Sequence, residues 1–110
     1  MFLVVSRFVP YSALAIYPFV IVKNKALATH SELLNHEKIH HRQQVELLIL
    51  PFYLIYLLNY VFNLLRYKNH EQAYRQIVFE QEAFAMDKDL HYLNKRKRFA
   101  FVKWIHIKTN

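Results

Sequence analysis

The sequence predicts a single α+β domain, mainly helical, in which a short N-terminal strand or hairpin precedes about three helices. Its 110 residues are the length of one domain. Residues 2–22 are rich in β-branched and aromatic side chains, which is typical of strands. From residue 31 onwards, capping residues and long stretches with few helix breakers favour helices instead.

The strand-like stretch, residues 2–22, contains prolines that restrict where it can lie. Pro18 cannot donate a hydrogen bond to a neighbouring strand, so the apolar run around it is expected at the edge of a sheet. Residues 23–30 are polar and are expected to form a turn region before the first helix.

The first helix is predicted to begin near Ser31, where Thr29 or Ser31 can cap the free backbone amides. Pro51 should kink or end it near residue 50, and residues 68–70 should form the next break. The expected units of the single domain 1–110 are residues 31–50 (first helix), 51–67 (apolar helix), 71–93 (third helix) and 94–110 (basic, aromatic tail).

The composition excludes several classes of site. Without cysteine the chain has no disulfide, thiolate metal site or cysteine nucleophile. Without glycine it has no P-loop, no dinucleotide-binding turn, no EF-hand loop and no nucleophile elbow. It is 55% hydrophobic and 16% aromatic, with a formal net charge of +7. An apolar and basic chain is expected to meet a membrane surface, a nucleic acid or both.

Residues 47–65 form an uncharged stretch about as long as a membrane-spanning helix. Three environments suit it equally: a bilayer span, the bilayer interface, or the interior of a protein. Asn59 and Asn63, with neighbouring tyrosines, give it one weakly polar face. The N-terminal stretch has only Arg7 as a basic residue and is interrupted by prolines, so no secretory signal is expected.

The motif with a defined chemistry is H-E-x-x-H at residues 36–40, inside the first predicted helix. Four residues advance a helix by about 400°, so His36 and His40 project from one face and can share a zinc ion. Glu37 lies to the side of the pair, where it can act as general base toward a water that the metal activates. The alternative is an ordinary polar helix surface, with Glu37 paired to His41.

A third ligand is needed, and the carboxylate cluster that follows is at residues 79–84. Glu80 and Glu82 are two residues apart, so they point to opposite faces of a helix and only one of them can reach the metal. Both faces are apolar, and periodicity does not choose between the two glutamates. An acidic residue in an apolar stripe needs a compensating metal or basic partner.

H-E-x-x-H followed in a separate helix by E-x-E-A resembles the gluzincin class of zinc metallopeptidases. More closely, residues 35–44, 73–75 and 79–84 resemble a family of very small, mostly uncharacterised bacterial proteins, common in Bacteroidetes, that are regarded as candidate metallopeptidases. The similarity extends from about residue 16 to residue 93. It implies a minimal zincin-like core, zinc held by His36, His40 and Glu80, and Glu37 as the catalytic base. It also implies that an edge strand within residues 15–22 holds the substrate backbone.

The sequence departs from the gluzincin pattern at Phe84. Many gluzincins have there, four residues after the ligand glutamate, an aspartate that orients a zinc-binding histidine, so another residue must do this here. Gln43 or Gln44 could support the site, although a hydrogen bond on the helix face is the plainer expectation. The candidates for stabilising an oxyanion, by residue type only, are His70, Tyr74 and Tyr92.

A three-ligand site also constrains residues 47–65. A single span would separate the histidines from Glu80 by about 30 Å, so this segment is expected to turn back and lie along a surface or in a core. The basic tail that begins at Lys95 suits solvent or anionic lipid, and nucleic acid least, because the patch is short. The expected contact is a membrane surface or membrane-protein complex through residues 47–65 and 95–108, at a bacterial inner membrane or its cytoplasmic face.

These expectations lead to one principal function and two alternatives. The principal one is a zinc metalloendopeptidase that acts on a peptide or protein substrate. The first alternative is a non-catalytic, membrane-associated subunit of a larger complex, with a structural or vestigial zinc site. The second is a single-pass membrane protein in which the motif is accidental.

Overall fold

The computed structural model describes residues 1–9 and 11–105, and it confirms a mainly helical α+β fold with a small N-terminal sheet. Residues 106–110 of the predicted tail lie outside the described residues. The strands are β1 (Phe2–Val5), β2 (Ala13–Ile16) and β3 (Phe19–Val22). The helices are α1 (Ser31–Glu46), α2 (Leu50–Tyr67), α3 (His70–Arg75), α4 (Val78–Met86) and α5 (Tyr92–Lys95), with 3₁₀ turns at Leu27–Thr29 and Ala100–Trp104.

The sheet has the order β1-β3-β2, so the strand that follows Pro18 is central and the expected edge position is wrong. Pro18 lies in the two-residue connection between β2 and β3, where its missing N–H interrupts no ladder. β1 is parallel to β3, and β2 is antiparallel to it. The edge strand beside the helices is therefore β2, which shares only residues 15 and 16 with the stretch expected to supply it.

Helix α1 begins where expected, but its cap is His30 instead of Thr29 or Ser31. The Nδ1 atom of His30 accepts the N–H of Leu33 at 3.1 Å. The helix ends at Glu46, before the expected residue 50. Pro51 lies in the first turn of α2, where no backbone N–H is needed for a helical hydrogen bond. The turn is made by Leu48 and Ile49, with φ of 61° and 54°. Since the chain has no glycine, residues with large side chains adopt these positive φ angles.

The predicted helix 71–93 is broken into α3, α4 and α5. The first break is at Ile77, whose extended backbone lets its fully buried side chain join a core with Phe52, Phe79 and Phe101. Two asparagines of α2 satisfy the backbone at this break. Asn59 accepts the N–H of Val78 at 2.9 Å, and Asn63 donates to the carbonyl of Ala73 at 3.1 Å.

Helices α1 and α2 are bent by 113° relative to each other. Within residues 1–9 and 11–105, no single helix has both the length and the apolar character of a membrane span; α1 and α2 meet that test only as this bent pair. The weakly polar face of α2 lies against α3 and α4, whereas many of its leucines are exposed.

Candidate metal centre

Helix α1 carries His36, Glu37 and His40 on its inner side, and all three are buried. Two residues hold α1 against the sheet region. The Nε2 atom of His41 bonds the carbonyl of Phe19 at 2.8 Å, and Gln44 bonds both Tyr17 N–H and the Ala15 carbonyl at 2.8 Å. His36 and His40 are thereby directed toward α4.

Helix α4 brings Glu80 to this face. The Oε1 atom of Glu80 lies 3.0 Å from Nε2 of His36 and 2.9 Å from Nε2 of His40. These three ligand atoms lie within 4.8 Å of one another, and all three residues are buried. The other oxygen of Glu80 accepts a hydrogen bond of 2.6 Å from the hydroxyl of Tyr56 on α2.

The outer nitrogen of each histidine is also held. Nδ1 of His36 lies 2.9 Å from Oδ2 of Asp87, and Nδ1 of His40 lies 2.7 Å from Oε1 of Gln43. Because the amide nitrogen of Gln43 donates to the carbonyl of Phe79, its oxygen faces His40 and can only accept. Both Nδ1 atoms are therefore donors, and both Nε2 atoms aim at a carboxylate oxygen.

Two imidazole lone pairs and a carboxylate oxygen repel one another unless a positive charge lies between them. Burial lowers the pKa of His40, but the charge and hydrogen bond of Glu80, the charge of Glu37 and the hydrogen bond to Gln43 together outweigh it and raise the pKa to about 9. Burial likewise opposes ionisation of Glu80, yet the two histidines hold the pKa of this carboxyl below its ordinary value. The donor set, two nitrogens and one carboxylate with both outer nitrogens oriented, fits a zinc ion.

Glu37 has a different environment from Glu80. It is only 7% exposed, and within the described part of the chain its carboxylate has no hydrogen-bond or ion-pair partner. Burial raises its pKa, against the lowering effect of His40 and His36. A carboxylate without a protein partner, beside two histidines, can accept a proton.

A cavity of about 510 Å³ opens on the site, and Glu37, His40 and Glu80 form part of its wall. His70 and Tyr74, two of the expected oxyanion candidates, also line it. Tyr92, the third, does not, because its hydroxyl bonds Glu82 at 2.6 Å on the far side of α4. The rest of the lining is mostly apolar or tyrosine: Tyr11, Ala13, Leu14, Ala15, Gln44, Phe52, Tyr53, Tyr56, Leu57 and Tyr60.

Glu82 points away from the histidines, as its spacing from Glu80 requires. It is fully buried in an ion-pair network with Arg96, whose guanidinium also binds both oxygens of Glu46 at 2.7 and 3.1 Å. Gln43 joins this network to the site, since it bonds Glu82 at 2.9 Å and His40 at 2.7 Å. Arg96, expected in the basic tail, is instead the interior partner of two carboxylates.

Three supporting residues were missed by sequence reasoning. The spacing of Asp87 could have indicated its role, because it follows Glu80 by seven residues, about two helical turns, and so faces the same way as Glu80. For Tyr56 the indication was weaker: it lies on the tyrosine-rich face of residues 47–65. Nothing in the sequence distinguished Arg96 from the other basic residues of the tail.

Comparison with models of known protein families, with curated proteins and with solved structures finds no match for this chain.

Proposed function

We propose that this protein is a zinc-dependent peptidase in which His36, His40 and Glu80 bind the metal and Glu37 is the general base. The observation that carries the proposal is the convergence of two oriented Nε2 atoms on one oxygen of Glu80, at 3.0 and 2.9 Å. Zinc held by such ligands polarises a carbonyl and lowers the pKa of water. The sequence resemblance to gluzincins supports the same assignment.

The residues of the chain can then share the work of hydrolysis. Glu37, unpaired on the cavity wall, accepts a proton from the attacking water and can return it to the leaving amine. His70 and Tyr74, the two oxyanion candidates that line the cavity, carry donors suited to an oxygen on which negative charge develops. The apolar side chains around them limit the access of bulk water.

Strand β2 offers a place for the substrate backbone. The N–H of Lys23 bonds the carbonyl of Ser12 at 3.0 Å, and bonded pairs alternate along an antiparallel ladder. The backbone groups of Ala13 and Ala15 therefore point away from β3, on the side of the cavity. Gln44 and Tyr53 already bind the carbonyl of Ala15. The backbone N–H and carbonyl of Ala13 are therefore the groups that can hydrogen-bond to an extended peptide.

Metal analysis tests the ligand assignment. Protein purified without added zinc should contain one equivalent, and His36→Ala and Glu80→Ala should each lose it. His91→Ala and Glu71→Ala, which remove an exposed histidine and an exposed glutamate, should keep it. Circular dichroism shows whether each variant is folded. Zinc-free wild-type protein, or variants that all retain zinc, would contradict the proposal.

Asp87→Ala should weaken zinc binding by about 10–100-fold, because the ring of His36 loses the partner that orients it. Competition with a chromogenic chelator measures the dissociation constant. Asp89→Ala is the matched control, since this carboxylate pairs with the exposed Lys95 instead. Equal affinities in the Asp87 and Asp89 variants would show that Asp87 does not support the metal.

A further inference from the structure

Helix α2 has an outer face of apolar side chains that the rest of the described structure leaves largely exposed. Its side chains recur every three or four residues, so they form one stripe along about 23 Å of helix. Their exposed fractions range from 44% to 78%. The outer face of α2 comprises Leu50, Leu54, Leu57, Leu58, Val61, Phe62 and Leu65.

The opposite side of α2 explains why the helix keeps this face turned outward. Asn59 and Asn63 cap the backbone of α3 and α4, and Tyr56 holds Glu80. These polar contacts set the rotation of the helix about its axis, so its leucines must point away from the protein. An exposed apolar stripe of this length marks an interaction surface.

The distribution of charge indicates what that surface meets. Every described lysine and arginine except Arg96 is exposed. Among the acidic residues, Glu37, Glu80 and Glu82 are buried. Glu46 pairs with Arg96, and Asp87 contacts the ring of His36. The formal net charge of +7 therefore understates how positive the surface is.

Two cations also lie at one end of the outer face itself. Helix α2 contains no acidic residue, and the exposed Arg66 and Lys68 follow the end of the stripe. A mostly aliphatic helix face, with Phe62 as its one aromatic residue and cations at one end, is typical of helices that lie in a bilayer interface. Protein interfaces, in contrast, are enriched at their centre in aromatic residues and arginine.

We propose that the outer face of α2 docks on the surface of an anionic lipid bilayer, with the helix lying in the plane of the membrane. Leu57 belongs both to this face and to the lining of the cavity, so docking places the cavity mouth at the lipid surface. If the proposed peptidase function holds, its substrates are polypeptide segments next to a membrane. The docking itself does not depend on that function.

Co-sedimentation with vesicles tests the docking on the full chain. Wild-type protein should bind phosphatidylcholine vesicles that contain phosphatidylglycerol, and bind pure phosphatidylcholine more weakly. Phe62→Glu should reduce the binding by at least about tenfold, since it places a charge where the bilayer would otherwise bury an apolar side chain. Leu90→Glu alters a residue of similar exposure (52% against 62%) outside α2 and should bind like wild type.

Two results would overturn the proposal. One is equal vesicle binding by the wild-type protein and Phe62→Glu, including no binding by either. The other is a wild-type dimer in solution that Phe62→Glu converts to a monomer, because the face would then be a contact between copies. The metal-free His36→Ala variant should still bind vesicles, so failure of the zinc assignment and failure of docking are separate results.

The orientation has its own readout, because the chain has no cysteine and one can be introduced alone. An environment-sensitive fluorophore on Leu57→Cys should shift to the blue when anionic vesicles are added. The same label on Leu90→Cys should not shift. A shift at residue 90 without one at residue 57 would show that another face of the protein meets the lipid.

Discussion

Glu37→Gln is expected to retain one equivalent of zinc and to lose peptide hydrolysis by about 10²–10⁴-fold in kcat/KM. Glutamine keeps the shape of the side chain but cannot accept a proton. The metal should remain, because the contacts that converge at the site come from His36, His40 and Glu80. Glu37 lies on the cavity wall without a protein partner among the described residues, so the substitution breaks no existing contact.

Hydrolysis of a fluorogenic peptide library, together with metal content, measures this effect. Glu71→Gln makes the same chemical change at an exposed position and should match the wild-type rate. A Glu37→Gln enzyme as fast as wild type would exclude Glu37 as the base. Zinc-loaded wild-type protein that cleaves no peptide would favour the non-catalytic subunit over the peptidase.

Arg96→Met should lower the free energy of unfolding by about 3–5 kcal/mol, because it leaves buried carboxylates without their cation. The guanidinium binds both Glu82 and Glu46, and its side chain is 1% exposed. A loss of this size is a large part of the roughly 5–15 kcal/mol that holds a domain folded. The same change should loosen zinc, since Glu82 also holds Gln43 against His40.

Urea denaturation measures the change in stability. Arg98→Met removes an exposed cation two residues away and should change the stability by less than about 0.5 kcal/mol. Arg96→Lys should recover only part of the loss, because an ammonium cannot bind two carboxylates in a fork. Equal stabilities for the Arg96→Met and Arg98→Met variants would show that the buried network contributes little to the fold.

The different directions of the Glu80 and Glu82 side chains show how far the sequence could predict the site. Helical spacing alone required them to face opposite ways, which the structure confirms. Which of them meets His36 depends on the break at Ile77, where an extended residue resets the direction of α4. That break arises because Ile77 packs into the core with Phe52 and Phe79, a contact between distant parts of the chain.

The early end of α1 illustrates the same limit. Pro51 predicted an interruption, but the helix stops at Glu46 and the proline begins the next helix. A proline is compatible with both arrangements, so the local rule cannot choose between them. The turn at Leu48 and Ile49 has an unfavourable backbone, which is closed by hydrogen bonds from the Leu48 and Ile49 N–H groups to the carbonyls of Val45 and Gln44.

By itself the sequence determined the mainly helical α+β class and the common face of His36 and His40, because helix geometry fixes the relative directions of side chains up to one turn apart. It also set the opposition of Glu80 and Glu82 for the same reason. Only the tertiary structure decided that Glu80 meets the histidines, that Asp87 and Gln43 orient them, and that Arg96 lies inside. The contacts that fix those pairings join residues 36 to 51 positions apart, and long-range packing alone brings such groups together.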